Sequence, residues 1–123
     1  MRTRRFGRLV FFGMNGSSVT MPAPTLSLYA AAKAALTSFA RTLATEEGRH
    51  GITVNVVAPG LTVTPPVKQN MPKGMLDDQI KSRALHREEN AKDLAGVVFF
   101  LSSPDADFIT GQTITVDGGR YMQ

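Results

Sequence analysis

The chain has 123 residues, 42% of them hydrophobic, with no cysteine and a formal net charge of +4. A chain of that length buries roughly 60–70% of its unfolded surface, enough for one core. The lack of cysteine excludes disulfides, thiolate metal sites and a cysteine nucleophile, and fits a reducing cytoplasm.

The charge is uneven: before Glu46 stand Arg2, Arg4, Arg5, Arg8, Lys33 and Arg41 and not one acid. Such a basic stretch suits nucleic acid, an anionic membrane or an import signal. Phe6 alone stands between these N-terminal arginines, short of the interleaved aromatics that a base-stacking platform requires, and the apolar run Leu9–Phe12 is too short for a signal-peptide core or a membrane span. The expectation is a chain that binds neither nucleic acid nor membrane, its basic start being a solvated helix end before a strand.

Leu9-Val10-Phe11-Phe12 is continuously apolar and closes at Gly13, Asn15 and Gly16. It reads as a strand buried on both faces, and so as a central parallel strand. Ser27 is positioned to cap a helix over Leu28–Glu47, with Gly48 just past its end where a left-handed residue is wanted. Ile52–Ala58 is rich in β-branched residues and stops at Pro59-Gly60, a second buried strand. A helical crossover between two apolar strands makes the pairing parallel and right-handed. Residues 61–88 are polar and irregular, with Met75, Leu76, Ile80 and Ala84 spaced for one short amphipathic helix, and an excursion of that length reads as a substrate lid. Asn90, with Asp93 three residues on, opens a helix through Leu94, Val97, Val98 and Leu101 that stops before Pro104. Gln112–Val116 is a third strand, ended by Asp117-Gly118-Gly119. The order is β-α-β-lid-α-β, an α/β fold read as one domain over residues 1–123, without repeat or linker.

Tyr29 and Lys33 are four apart on the first helix, turned by only about 40° from each other. Leu36, Ala40 and Leu43 fall on the same stripe, so this face points toward the sheet. A free tyrosine titrates near pH 10, and an adjacent ammonium favours its phenolate, so the pair suits a general acid/base. A tyrosine packed at a helix edge beside a snorkelling lysine meets the same spacing. His50 and His86 lie in polar surroundings with no second ligand at metal spacing and read as solvated side chains; no metal is expected.

Four motifs stand in order: Gly7-Arg8-Leu9-Val10, Tyr29-Ala30-Ala31-Ala32-Lys33, Asn55-Val56-Val57-Ala58-Pro59-Gly60, and Ile109-Thr110-Gly111-Gln112 running on to Val116-Asp117-Gly118-Gly119. Together they resemble the second half of the short-chain dehydrogenase/reductase family, over essentially the whole chain. The resemblance implies a partial Rossmann-like, doubly wound parallel sheet of three strands with helical crossovers, lacking the N-terminal dinucleotide-binding half. It implies NAD or NADP as cofactor, a small alcohol or carbonyl compound as substrate, and a cytoplasmic homo-oligomer. Tyr29 would exchange the proton with the substrate oxygen, and Lys33 would activate it and bind the nicotinamide ribose. Pro59 and Gly60 would pass the nicotinamide, and Thr62 and Thr64 would contact its carboxamide and the nearby phosphate.

The family also places a serine after the strand that precedes the catalytic helix. The usual spacing from Tyr29 lands on Gly16, and counting along the strand lands near Met14. Ser17 follows at once and becomes the candidate if the loop is shifted, although serines beside glycine are also ordinary turn residues. There is no G-x-G-x-x-G for a pyrophosphate, and Met1 reads as an internal methionine of a longer frame, with Arg2–Phe6 as the tail of a preceding helix. The alternative to an oxidoreductase is a catalytically silent fragment that acts only by association or complementation.

Overall fold

The computed structural model describes residues 1–15 and 26–122. Among the described residues seven main elements follow one another: β1 Gly7–Phe12, α1 Ser27–Glu47, β2 Ile52–Pro59, α2 Pro65–Asn70, α3 Lys73–Lys81, α4 Ala91–Ser102 and β3 Thr113–Val116. The strands form one sheet in the order β1-β2-β3, parallel throughout, with Val10 opposite Asn55 and Val57 opposite Ile114.

The two-residue period of the strands divides the apolar side chains between the two faces. Ile52, Val54 and Val56 of β2, with Leu9 and Phe11 of β1, pack against Ala40, Leu43 and Ala44 of α1. Val57, with Val10, Ile114 and Val116, packs against Leu94, Val97, Val98 and Leu101 of α4. One helix therefore covers each face, as parallel strands buried on both sides require. Val54, Val57 and Leu101 are wholly enclosed, each burial being worth about 1.5–3 kcal/mol.

β2 is the buried central strand. β1 sends side chains into both cores as its sequence implies, but among the described residues it pairs with β2 alone and lies at the sheet edge, leaving Arg8–Phe11 half-buried and Phe12 exposed. The run of apolar side chains specifies that β1 packs into both cores, not that it has a second hydrogen-bonding neighbour.

The helix ends differ from expectation too. Ser27 is the first helical residue of α1, not its cap; Leu26 holds that place without a side-chain bond. Gly48 is right-handed helical because the chain continues into a 3-10 turn over Gly48–His50, and Gly51 supplies the left-handed residue at φ 68°. There a Cβ would collide with the Arg5 carbonyl oxygen, so the close approach as well as the dihedral selects glycine. Residues 2–4 form a single 3-10 turn rather than a helix tail, held to the end of α1 by the Arg2–Glu47 ion pair. α4 opens as expected: the Asn90 side chain accepts the Lys92 N–H at 3.0 Å while Asp93 accepts the Asn90 N–H at 2.9 Å, a reciprocal cap that satisfies two otherwise unpaired donors. The polar excursion holds two short helices instead of one. α2 starts on Pro65-Pro66, where a missing N–H costs nothing, and Ala84 lies beyond the end of α3. Among the described residues no helix is long and apolar enough to cross a membrane.

Candidate active site at the carboxyl edge of the sheet

β1, β2 and β3 all end at the same edge of the parallel sheet, and the residues singled out by sequence gather there. The buried face of α1 runs through Thr37, Ala40, Ala44 and Glu47, and Lys33 continues it one turn earlier. Its ammonium donates to the carbonyl oxygen of Phe12, the last residue of β1, at 2.7 Å. The same Nζ stands 5.6 Å from the centre of the Tyr29 ring, within the range of a cation–π contact. Lys33 is thus tied to the strand end while Tyr29, at the margin of the face, keeps 48% of its surface exposed. Ser17 lies outside the described residues.

Beyond β1 the chain stays zipped to β2: the Gly13 N–H donates to the Val57 carbonyl at 2.8 Å and the Asn15 N–H to the Pro59 carbonyl at 3.1 Å. A Cβ on Gly13 would meet Val56 Cγ1 at 2.7 Å. Asn15 Nδ2 then reaches Asp117 Oδ2 at 3.2 Å, joining the ends of β1 and β3 across β2. Asp117 is buried and fully employed, since its two oxygens also accept the N–H groups of Gly119, Arg120 and Tyr121 at 2.9, 3.1 and 3.0 Å. The Asp-Gly-Gly ending is therefore a turn built around one carboxylate.

Pro59 and Gly60 occupy the middle of this edge. The Gly60 N–H donates to the Val116 carbonyl at 3.0 Å, and a Cβ at Gly60 would lie 2.6 Å from Glu89 Oε2 and 2.9 Å from Asp117 Cβ. Thr62 is half-buried and donates its hydroxyl to Glu89 Oε1 at 2.8 Å; Thr64 is exposed and begins α2 without a side-chain bond to it. Behind this strip lies a polar cluster that sequence reasoning missed. Arg83, buried, donates from Nη2 to the Leu61 carbonyl at 2.8 Å and from Nη1 to the Arg87 carbonyl at 3.1 Å. Glu89 Oε2 is 3.8 Å from Arg83 Nη2. Burial pushes the Glu89 carboxyl above its ordinary value, against the opposing pull of the Thr62 hydroxyl and the Arg83 charge. Outside the cluster, Arg87 and the Asn90 N–H hold the Asp93 carboxyl down at about 2. His50 is half-buried beside Arg49 and His86 is exposed.

Two further polar residues explain why the strand motifs take the form they do. Asn55, wholly buried in β2, donates to the Ile109 carbonyl at 2.8 Å and accepts the Gln112 N–H at 3.0 Å. Thr110 Oγ1 accepts the Val54 N–H at 3.0 Å. They lock the approach to β3 against β2, and with it the register that brings Asp117 beside Gly60.

The model of the family described as enoyl-(acyl carrier protein) reductase matches residues 1–120. The chain belongs to the short-chain dehydrogenase/reductase family. It is 40% identical to the 3-oxoacyl-(acyl-carrier-protein) reductase FabG of Haemophilus influenzae, over 99% of this chain and 49% of that protein. It is 37% identical to the short-chain reductase protein NovJ of Streptomyces niveus, over 98% of this chain and 47% of that protein. The crystal structure of a 3-oxoacyl-(acyl-carrier protein) reductase from Brucella melitensis superposes on the whole chain and 45% of its own length, with a TM-score of 0.90 and 33% identity. The three parallel strands and their helices are part of a Rossmann-like sheet, and the chain spans about half the length of the relatives it matches.

Proposed function

We propose that this chain is the catalytic half of an NAD(P)-dependent oxidoreductase that interconverts an alcohol and a carbonyl compound. The observation that carries the reading is Lys33, tethered to the end of β1 by Phe12 and held against a Tyr29 ring that remains open on its outer side. In a parallel α/β sheet, ligands bind in the crevice outside the carboxyl ends of the strands, which is where this pair stands.

The residues suit a nicotinamide dinucleotide on its ribose and nicotinamide side. An ammonium has three donors, and Phe12 takes one of those of Lys33, so others are directed to hydroxyl groups such as those of a ribose. The cofactor, when bound, supplies or accepts the hydride. Tyr29 gives or takes the proton at its hydroxyl, with the Lys33 charge beside it. Pro59, Gly60, Thr62 and Thr64 line the nicotinamide strip, and Ser17 is the proposed donor to the substrate oxygen. Residues 61–88 serve as the lid of a domain spanning residues 1–123, and the protein works in the cytoplasm as a homo-oligomer on a small alcohol or carbonyl compound. Titration with NADH and NADPH, followed through cofactor fluorescence, tests the reading: saturable binding supports it, and none at millimolar cofactor sinks it for this chain.

The second reading is a silent fragment that acts by association. It is favoured by an open apolar groove of about 550 Å³ between Phe12 at the β1 edge and Leu94, Ala95, Val98 and Phe99 on α4. Tyr29→Phe separates the two: it cuts turnover by about 10²–10⁴ under the first reading and leaves association unchanged under the second.

A further inference from the structure

Glu89 takes no part in the proton and hydride chemistry, yet it is 4% exposed, and a carboxylate is retained at such depth only where specific partners satisfy it. Its partners converge on one stretch of backbone. Oε1 accepts the Thr62 hydroxyl at 2.8 Å, and the Glu89 carbonyl accepts the Val63 N–H at 2.7 Å. Oε2, without a hydrogen-bond partner among the described residues, fills the space that a Cβ at position 60 would need. Arg83 holds the Leu61 carbonyl of the same stretch, with Oε2 3.8 Å from its guanidinium. Thr62 and Glu89 are paired as a single parallel bridge. In such a bridge one residue bonds the peptide groups flanking its partner, so the partner's own N–H and C=O turn to the opposite side.

We propose that Glu89, backed by Arg83, is a positioning residue that fixes Gly60–Val63 as an extended strip and turns the Thr62 peptide groups outward, toward the amide of a bound nicotinamide. The Thr62 hydroxyl is spent inward on Glu89, so the strip offers main chain rather than that hydroxyl. This rests on the cofactor reading above, but the clamp is measurable without cofactor.

Amide hydrogen exchange on the intact chain, wild type against Glu89→Ala, Glu89→Gln and Thr62→Val, tests it. Glu89→Ala should speed exchange at Val63 by about tenfold, the equivalent of one hydrogen bond of roughly 1.4 kcal/mol, while Val54–Val57 keep their protection. Glu89→Gln retains an acceptor and should restore most of it, and Thr62→Val should reproduce the loss. Should Glu89→Ala fail to fold, Thr62→Val, at a half-buried position, carries the same prediction. Unchanged Val63 exchange, or acceleration spread evenly through β2, would overturn the proposal. In parallel, NADPH should bind Glu89→Ala about tenfold more weakly than wild type, and Glu89→Gln nearly as well. Equal weakening by both would refute positioning through the acceptor. A wild type that binds no cofactor defeats the proposed function, whereas the exchange result still decides for or against the clamp.

Discussion

The Tyr29–Lys33 rim and the Arg83–Glu89–Asp117 cluster lie at the same sheet edge and handle polarity in opposite ways. At the rim, Lys33 is anchored by one bond to a strand carbonyl and Tyr29 stands half in solvent. In the cluster, Arg83, Glu89 and Asp117 are each less than 5% exposed; Arg83 and Asp117 bond the backbone of the loops that follow β2 and β3, and Glu89 accepts the Thr62 hydroxyl. Groups that meet a substrate need open valences and an approach; groups that hold a loop in shape need burial and bonds to that loop. Substitutions at the rim should therefore cost chemistry, and substitutions in the cluster should cost stability.

Tyr29→Phe is the largest expected effect. Turnover should fall by about 10²–10⁴, the usual contribution of a general acid/base, while the urea midpoint stays put because only an exposed hydroxyl is lost. Retained turnover would erase the distinction on the rim side. Arg83→Ala should do the reverse through the fold: it strands Glu89 as a buried carboxylate and should cost about 3–5 kcal/mol in denaturant unfolding, and a loss under about 1 kcal/mol would show the cluster to be solvated. Gly60→Ala comes next, at about 1–3 kcal/mol, because its Cβ collides with Glu89 and Asp117.

The smallest effect concerns two carboxylates displaced in opposite directions. Asp93, lowered from 3.8 to about 2, contributes stability that is present above its unfolded value and lost as pH falls through the folded one. Denaturation midpoints of wild type should therefore drop between about pH 4 and 2, and Asp93→Asn should flatten that limb. Glu89 is raised by burial, so its contribution is present below the unfolded value and lost as pH rises through the folded one. Glu89→Gln should flatten that loss on the neutral side and leave the acid limb of Asp93 in place.

Local signals carried the sequence reading where local chemistry decides. Asn90 and Asp93 announced the start of α4, Pro104 its limit, and the β-branched run Ile52–Ala58 the buried strand, because capping and strand packing are set by residues a few positions apart. The Tyr29–Lys33 face was legible for the same reason, four residues being one turn. What escaped depends on distant partners. Gly51 rather than Gly48 is left-handed because Arg5, far back in the chain, crosses there. Arg83 and Glu89 look like ordinary surface charges within a polar stretch, and Asp117 like a turn residue ending the third strand. Only folding brings them to Leu61, Thr62 and Asn15, and no spacing rule links those positions.

The proposed function requires one face of the carboxyl edge, from Lys33 to Thr64, to receive a nicotinamide cofactor. Backbone amide chemical shifts recorded while NADPH is titrated into the intact chain test it most directly. Saturable changes are expected at Lys33 and at Gly60–Thr64, with the opposite end of the sheet around Arg5, Gly51 and Phe108 silent. Changes confined to that opposite end, or none at millimolar NADPH, would contradict it.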